Sequence, residues 1–248
     1  MDNRNTASEF YEEFWKDSDY QQSYAQIIGI QDRIPAIKKV WGCRPYPKRV
    51  LDFGCGNGVL TDLLKEEGFG EQIIGVDVSE TGVSYATETF MKPGLSFDTV
   101  GFVNSVDPNY FDAVVSSHVF EHIDNPAEVL KSIKDKGKEF VIEVPLERCL
   151  VPAIISLVRG KKRKDNRLGH VNFWNKKTFR EFIRQEGLQI NNEYHYASAP
   201  YSPFNHWSKR YIERVALLLM GLRLYGKIMA THFIVSASTP GNPNDLLD

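Results

Sequence analysis

The apolar positions change their period along the chain, and the changes mark out its elements. Short runs of branched and aromatic residues alternate with stretches in which apolar residues return every three or four positions. Runs of the first kind suit strands, and stretches of the second kind suit amphipathic helices. Strands are predicted at 48–53, 71–77, 95–100, 110–116 and 138–144, and helices at 58–67, 80–91 and 126–135. Such alternation implies right-handed crossovers and a parallel sheet covered on both faces. Ligands of these sheets bind beyond the carboxyl ends of the strands. Asp52, Asp77 and Ser117 all fall at such ends, so one edge of the sheet gathers them.

The flanking regions are patterned differently. Residues 7–28 carry Phe10, Tyr11, Phe14, Trp15, Tyr20 and Tyr24 at near-helical spacing. Ile30 to Trp41 reads as a further amphipathic helix, halted near Pro45 and Pro47. In the last third, 149–159 reads as a helix and 160–167 as a polar loop. Residues 175–185 form a helix with Thr178, Phe179, Phe182 and Ile183 on one face and Gly187 after its end. Strands at 188–197 and 231–238 follow, with a helix at about 206–221 between them.

Composition narrows the class. The 248 residues, 42% hydrophobic and 25% charged, suit one globular domain. A net charge of −2 supplies no global attraction to nucleic acid. Cys43, Cys55 and Cys149 are spaced as neither a disulfide framework nor a metal motif, so no metal and a reducing cytoplasm are expected. The N-terminus shows no secretory pattern, and the longest apolar runs, 149–158 and 215–222, are too short to span a bilayer.

The candidate chemistry begins at Val50-Leu51-Asp52-Phe53-Gly54-Cys55-Gly56-Asn57-Gly58. A strand turning on glycines into a helix lets the backbone approach a ligand, and the helix start offers unpaired N–H groups. The dinucleotide fingerprint is G-x-G-x-x-G; here Val59 stands where its last glycine would fall. Asp52 would repel a pyrophosphate but attract an amine. S-adenosylmethionine (SAM), with a sulfonium, an ammonium and no phosphate, fits better than NAD. Asp77 lies about twenty residues beyond the glycines, the offset of an acid that accepts from ribose hydroxyls; otherwise it caps the next helix.

A third segment runs from Tyr110-Phe111-Asp112 through Ser116-Ser117-His118-Val119-Phe120-Glu121-His122 to Asn125-Pro126. With it the chain resembles the class I SAM-dependent methyltransferases, in particular the group with an E-H-x-x-x-P signature. That group includes ubiquinone-biosynthesis O-methyltransferases and many sugar and small-molecule enzymes. The resemblance spans about residues 48–145, with a weaker echo at 169–188. It implies a Rossmann-like α/β fold of seven strands, order 3-2-1-4-5-7-6, helices on both faces and a closing antiparallel hairpin. Residues 1–45 would form a helical lid, 46–146 the SAM-binding core, and 147–248 an acceptor-side insertion with the hairpin.

Cofactor contacts are expected from Asp52, Gly54, Cys55, Gly56, Asp77, Ser117 and His118. Cys55 reads as a small packed residue, since a neighbouring acid disfavours its thiolate. The resembled group often has an acid after strand three for the adenine amino group. None stands near Val100-Gly101-Phe102, so Phe102 or Val78 would pack on the ring. Asp98 is either such a ligand displaced or a surface residue. His118 and His170 are the candidate bases and His122 a third; the alternatives are a loop histidine that only positions backbone for His118, helix-start and loop scaffolding for His122, and a loop histidine packed on Trp174 for His170. Tyr11, Trp15 and Tyr20 are candidate lid contacts to the sulfonium. The basic run Arg159-Gly160-Lys161-Lys162-Arg163-Lys164 reads as a solvated loop, as a clamp for an anionic acceptor, or as a peripheral membrane contact.

The expected function is methyl transfer from SAM to an O or N atom of a small molecule: a sugar, a secondary metabolite or a quinone-like intermediate. An NAD-dependent oxidoreductase and a non-catalytic SAM-binding partner protein are the alternatives. The charge balance and the lack of an N/D-P-P-Y/F motif disfavour a nucleic-acid methyltransferase.

Overall fold

The structure is a computed structural model that describes Glu12, Trp15 and residues 25–150 and 169–240. Its strands are β1 (Arg49–Phe53), β2 (Gln72–Asp77), β3 (Leu95–Thr99), β4 (Phe111–Ser117), β5 (Gly137–Leu146), β6 (Gln189–Tyr196) and β7 (Thr231–Ser238). They form one sheet in the order β3-β2-β1-β4-β5-β7-β6. The first five are parallel, and β7 runs antiparallel to both β5 and β6. The predicted order and closing hairpin are therefore present. Strand order reverses between β1 and β4, which opens a crevice at their carboxyl ends.

Helices cover both faces. On one side α1 (Ile34–Trp41) and α2 (Val59–Glu66) bury Ile37, Val40 and Leu64 against Val50, Ile73 and Val141. On the other, α4 (Pro126–Ile133) and α5 (Lys176–Gln185) bury Leu130, Ile133, Phe179 and Ile183. The period of two in β5 serves both layers: Phe140, Ile142 and Val144 face one and Val141 the other. Helix α3 (Glu80–Phe90) follows β2. A reciprocal pair starts α5: Asn175 accepts from the Thr178 amide and Thr178 accepts from the Asn175 amide.

Two elements differ from expectation. The first helix, predicted from Ile30, is helical already at 25–28 and widens into a π-helical turn over Gly29–Arg33. The Ile34 amide donates to the Gly29 carbonyl, one residue farther back than in an α-helix. Pro35, next in line, has no amide to continue the regular ladder. The helix predicted to stop at 221 is α6 (Trp207–Ile228), which runs on past Gly221, where φ 67° and ψ 160° interrupt the helical geometry. Among the described residues no helix is long and apolar enough to cross a membrane. The helix expected at 149–159, the loop with the basic run, Tyr11 and Tyr20 fall wholly or largely outside the described residues.

Candidate active site

Three alternate glycines turn β1 into α2. Gly54, Gly56 and Gly58 have φ of 80°, 55° and 80°, the left-handed region that a Cβ disfavours, which accounts for their spacing. Space reinforces conformation: a Cβ would lie 2.2 Å from Val119 at Gly54 and 2.3 Å from the Trp15 ring at Gly56. The amides of Gly54 and Cys55 donate to the Val76 carbonyl at 2.8 and 3.0 Å. The Gly56 amide donates to Asp77 Oδ2 at 2.8 Å, and the Ser79 amide to Asp77 Oδ1 at 2.9 Å. Asp77 thus ties the glycine loop to the end of β2, while Ser79 caps α3 by accepting from Gly82. Burial raises the Asp77 pKa despite these amides.

Glu12 and Trp15 close over this loop. The Glu12 carboxylate accepts from the Glu80 and Thr81 amides at the start of α3, where a negative charge is favoured. The indole of Trp15 packs on Gly56 and beside Gly82.

Two cavities meet beneath them. One, of about 370 Å³, is lined by Asp52, Cys55, Gly56, Asn57 and Ser117 and also by Glu147, His170, Tyr196 and His232. The other, of about 500 Å³, is lined by Asp77, Val78, Val100, Val103 and Asn104. Trp15, Gly54, His118 and His122 border both. Of the two residues expected to pack on the adenine ring, Val78 lines the second cavity, while Phe102 lines neither and packs against the core. Val100–Ser105 is a 3₁₀ turn with three residues per turn, so Val100 and Val103 share a face from which Phe102 is rotated away. Asp98 is exposed and accepts from its neighbour's amide at 2.7 Å, and it too is absent from both cavities.

The charges of the smaller cavity are distinctive. Asp52 is 1% exposed and accepts from Thr61 Oγ1 at 2.7 Å. Burial pushes its pKa up to about 6, against Thr61 and the Arg33 cation, which lower it. Nδ2 of Asn57 and Nε of Arg33 are buried donors with no hydrogen-bond partner, and both side chains line the cavity. Asp32, beside Arg33, is likewise raised to about 6 by burial and then by Glu143. Sequence reasoning missed Arg33 and Asp32, which the π-helical turn delivers. One signal was there: a lone cation one turn before Ile37, on the helix face that Ile37 buries. Burial and the nearby Asp52 raise the Cys55 thiol well above its usual pKa, so it is inert as a nucleophile.

A buried network joins the other polar groups. The His118 cation lies 3.0 Å from Glu121 Oε1 through Nδ1 and 3.5 Å from Glu143 Oε1 through Nε2. Burial alone would lower its pKa, but Glu143 and Glu121 override that and raise it to about 9. Its Nε2–H donates to Nδ1 of His232 at 3.1 Å. Burial and that cation push His232 down to about 3, so it is neutral, and its Nε2–H donates to Ser198 Oγ at 3.0 Å. Glu143 accepts from Ser117 Oγ at 2.7 Å and from the Tyr196 hydroxyl. The His118 cation holds its carboxyl well below the usual range in spite of burial. His118, expected as a base, is therefore already protonated at neutral pH, and the Ser117 hydroxyl is committed to Glu143.

His122 and His170 form a second unit. The Glu121 carbonyl accepts the Val171 and Asn172 amides at 2.8 and 2.9 Å, which clamps the two histidine loops together. The rings meet edge to face, centroids 4.7 Å apart. His122 is lowered to about 4 by burial. His170 Nδ1–H donates to Glu147 Oε2 at 2.6 Å, which puts the basic lone pair on Nε2.

Donors suited to a metal occur in two sets, His118 with Glu143 and His232, and Glu121 with His122 and His170, each within 4.8 Å. In the first set the proton on His118 already balances the carboxylates, and a metal would have to displace it.

The comparisons with known proteins bear on the family and on the fold. The methyltransferase domain family model matches residues 24–193. The ubiquinone biosynthesis O-methyltransferase of Stutzerimonas stutzeri is 31% identical over 101 residues, 38% of this chain and 43% of that protein. The Yersinia enterocolitica protein of the same name is 32% identical over 103 residues, 38% and 42% of the two chains. The chain thus spans about two fifths of the length of these relatives. A chain from the complex between the Haloferax volcanii Trm112 methyltransferase activator and a methyltransferase superposes with a TM-score of 0.66 at 18% identity, covering 96% of this chain and 100% of that one. Haemonchus contortus phosphoethanolamine N-methyltransferase 2, with phosphomonomethylethanolamine and S-adenosylhomocysteine, gives 0.64 at 15% identity, covering 97% and 61%. Likeness at such identities bears on the fold.

Proposed function

The chain belongs to the methyltransferase domain family, and from that premise we propose that it binds SAM across the two cavities and methylates an O or N atom of a small molecule. The observation that carries this is the charge pattern of the smaller cavity. Asp52 is a buried acid near its titration point, and Asn57 Nδ2 and Arg33 Nε are buried donors without partners. A zwitterionic amino-acid group satisfies all three, with its ammonium at Asp52 and its carboxylate at Arg33 and Asn57. A pyrophosphate would add negative charge beside Asp52.

The remaining roles follow from position. Asp77 keeps unused lone pairs for ribose hydroxyls, and Val78, Val100 and Val103 give an apolar bed for the base, with Asn104 at its edge. The segment 1–45 acts as the lid, through Trp15 over the glycine loop and Glu12 on α3. Residues 46–146 hold the donor, and 147–248 furnish the acceptor side through His170, Tyr196, Ser198 and His232. SAM supplies a methyl group already activated by its sulfonium. The protein's work is then to align the acceptor, exclude water and take a proton where the nucleophile carries one. His170 is the proposed base. The similarity to O-methyltransferases of ubiquinone biosynthesis supports a hydroxyl acceptor of quinone-precursor type; a sugar or secondary-metabolite hydroxyl is the same chemistry. Cytoplasmic placement belongs to the proposal, supported by three free cysteines.

Calorimetry tests the donor site directly. The SAM ammonium favours ionised Asp52, so binding should release protons near pH 6. Affinity should fall as pH drops below about 6, approaching tenfold per unit. Asp52→Asn should bind more weakly at pH 7 and lose most of this dependence. Absence of SAM binding, or a wild-type affinity flat from pH 5 to 7, would refute the reading. Screening hydroxyl- and amine-bearing small molecules for S-adenosylhomocysteine release then identifies the acceptor.

A further inference from the structure

Helix α6 covers little of the core. Only Glu213 and Tyr225 of its residues are buried. Trp207, Tyr211, Val215 and Leu218 follow at steps of three and four along α6 and are all exposed, with Ile212 and Leu219 beside them and Phe204 exposed in the turn before the helix. Leu218 and Leu219 are 83% and 78% exposed. On a helix this spacing makes one continuous apolar stripe. Charge flanks it: Lys209, Arg210, Arg214, Arg223 and Lys227 lie on the same helix, and its one acid, Glu213, is buried.

A cationic hollow adjoins the far end of the stripe. It encloses about 850 Å³ and is lined by Arg148, Lys176, Lys177 and Arg180 together with Arg223 and Lys227 of α6. Glu193 takes Arg180 at 2.7 Å, and Glu181 approaches Lys177 at 3.8 Å. Arg148, Lys176, Arg223 and Lys227 form no salt bridge among the described residues. Burial, then Arg180, lowers the pKa of Lys176, and burial, then Lys176 and Arg180, brings His195 down to about 4. This is a concentration of positive charge that an anion would relieve, in a chain whose net charge is −2.

We propose that α6 and the adjoining hollow dock the protein on an anionic phospholipid bilayer, with the apolar stripe among the acyl chains and a lipid phosphate group in the hollow. The residue types match the depths they would occupy: leucines deepest, Trp207, Tyr211 and Phe204 at the interface, and lysine and arginine at the headgroups. Gly221 lets the basic C-terminal part tilt away from the leucine-rich part. A second copy of the chain fits less well, because pairing α6 with itself sets like charges together. This surface is separate from the donor and acceptor cavities, so the proposal stands independently of methyl transfer.

Co-sedimentation of the full chain tests it, with neutral phosphatidylcholine vesicles and vesicles in which about a third of the lipid is phosphatidylglycerol. The protein should pellet with the anionic vesicles only, the emission of Trp207 should shift to the blue, and binding should weaken as salt rises above about 0.1 M. Leu218→Glu with Leu219→Glu, and separately Arg223→Ala with Lys227→Ala, should each reduce binding by roughly tenfold or more. Both pairs are exposed, and unchanged circular dichroism confirms that they fold. No binding to anionic vesicles overturns the proposal. So does saturable binding of inorganic phosphate that abolishes vesicle binding, which would assign the hollow to a free phosphate compound. A dimer in sedimentation velocity that dissociates on Leu218→Glu with Leu219→Glu would assign the stripe to self-association and also overturn it.

Discussion

Glu143→Ala is expected to lower the free energy of unfolding by about 3–5 kcal/mol at pH 7, the cost of breaking a buried ion pair and leaving its partner behind. The side chain is 1% exposed, and the His118 cation, the Ser117 hydroxyl and the Tyr196 hydroxyl all converge on it. Alanine removes the acceptor of both hydroxyls and one of the two carboxylates that hold the buried His118 cation, which keeps Glu121 alone. Glu143→Gln keeps one acceptor oxygen and turns an amide NH2 toward the other hydroxyl, whose oxygen can accept from it, so its cost should be smaller. The pH dependence separates a charge effect from a packing effect. The folded-state pKa of His118, about 9, lies above its ordinary 6.5. The cation therefore contributes fully below pH 6.5, and that contribution is lost as pH rises through about 9. Urea denaturation at pH 7 and at pH 9.5 should show the wild type losing stability and Glu143→Ala changing much less. A variant as stable as the wild type at pH 7 would mean that the network carries no net stabilisation.

What the sequence discloses about this site depends on how locally each residue is placed. The glycine loop was legible because three left-handed residues at alternate positions admit few alternatives to Gly54, Gly56 and Gly58. The strands were legible because a sheet covered on both faces needs near-continuous apolar runs, and β5 is a clear case. Within that run Glu143 was itself a signal that went unused: an acid inside Phe140-Val141-Ile142-Glu143-Val144 must have buried partners. Those partners come from β4, β6 and β7, so only the closed hairpin discloses them. Arg33 reaches the cavity through a π-helical turn, and no local pattern announces such a turn. For Phe102 the residue count located the segment but not the rotation of the 3₁₀ turn, which puts Val100 and Val103 at the cavity and Phe102 on the core.

His118 shows how context reverses a chemical reading. As an isolated loop histidine at the end of β4 it suits a base; set between Glu121 and Glu143 it becomes the proton-bearing member of a structural network. In the proposed mechanism the base is instead His170, whose ring Glu147 orients. Glu147 holds His170 in the tautomer that carries its lone pair on Nε2, and Tyr196, Ser198 and His232 share the same cavity. His122, lowered to about 4, is neutral and packs on the His170 ring.

His170→Ala is accordingly expected to lower kcat by roughly 10²–10⁴-fold with an acceptor hydroxyl, the usual worth of a positioned base. SAM affinity should stay unchanged, because the groups proposed to hold the donor, Asp52, Arg33, Asn57 and Asp77, do not include His170. Glu147→Ala removes the orienting carboxylate but leaves the imidazole, so kcat should fall by less while SAM again binds normally. Added imidazole should restore part of the activity of His170→Ala, a recovery that a merely structural residue would not show. Steady-state kinetics on the identified acceptor, with calorimetry for SAM on the same preparations, reads all three effects. Turnover unchanged in His170→Ala removes it as the base. Loss of SAM binding in step with turnover makes it part of the donor site instead. The first outcome would direct the search to an acceptor whose nucleophile is already deprotonated at neutral pH, for which alignment and exclusion of water suffice.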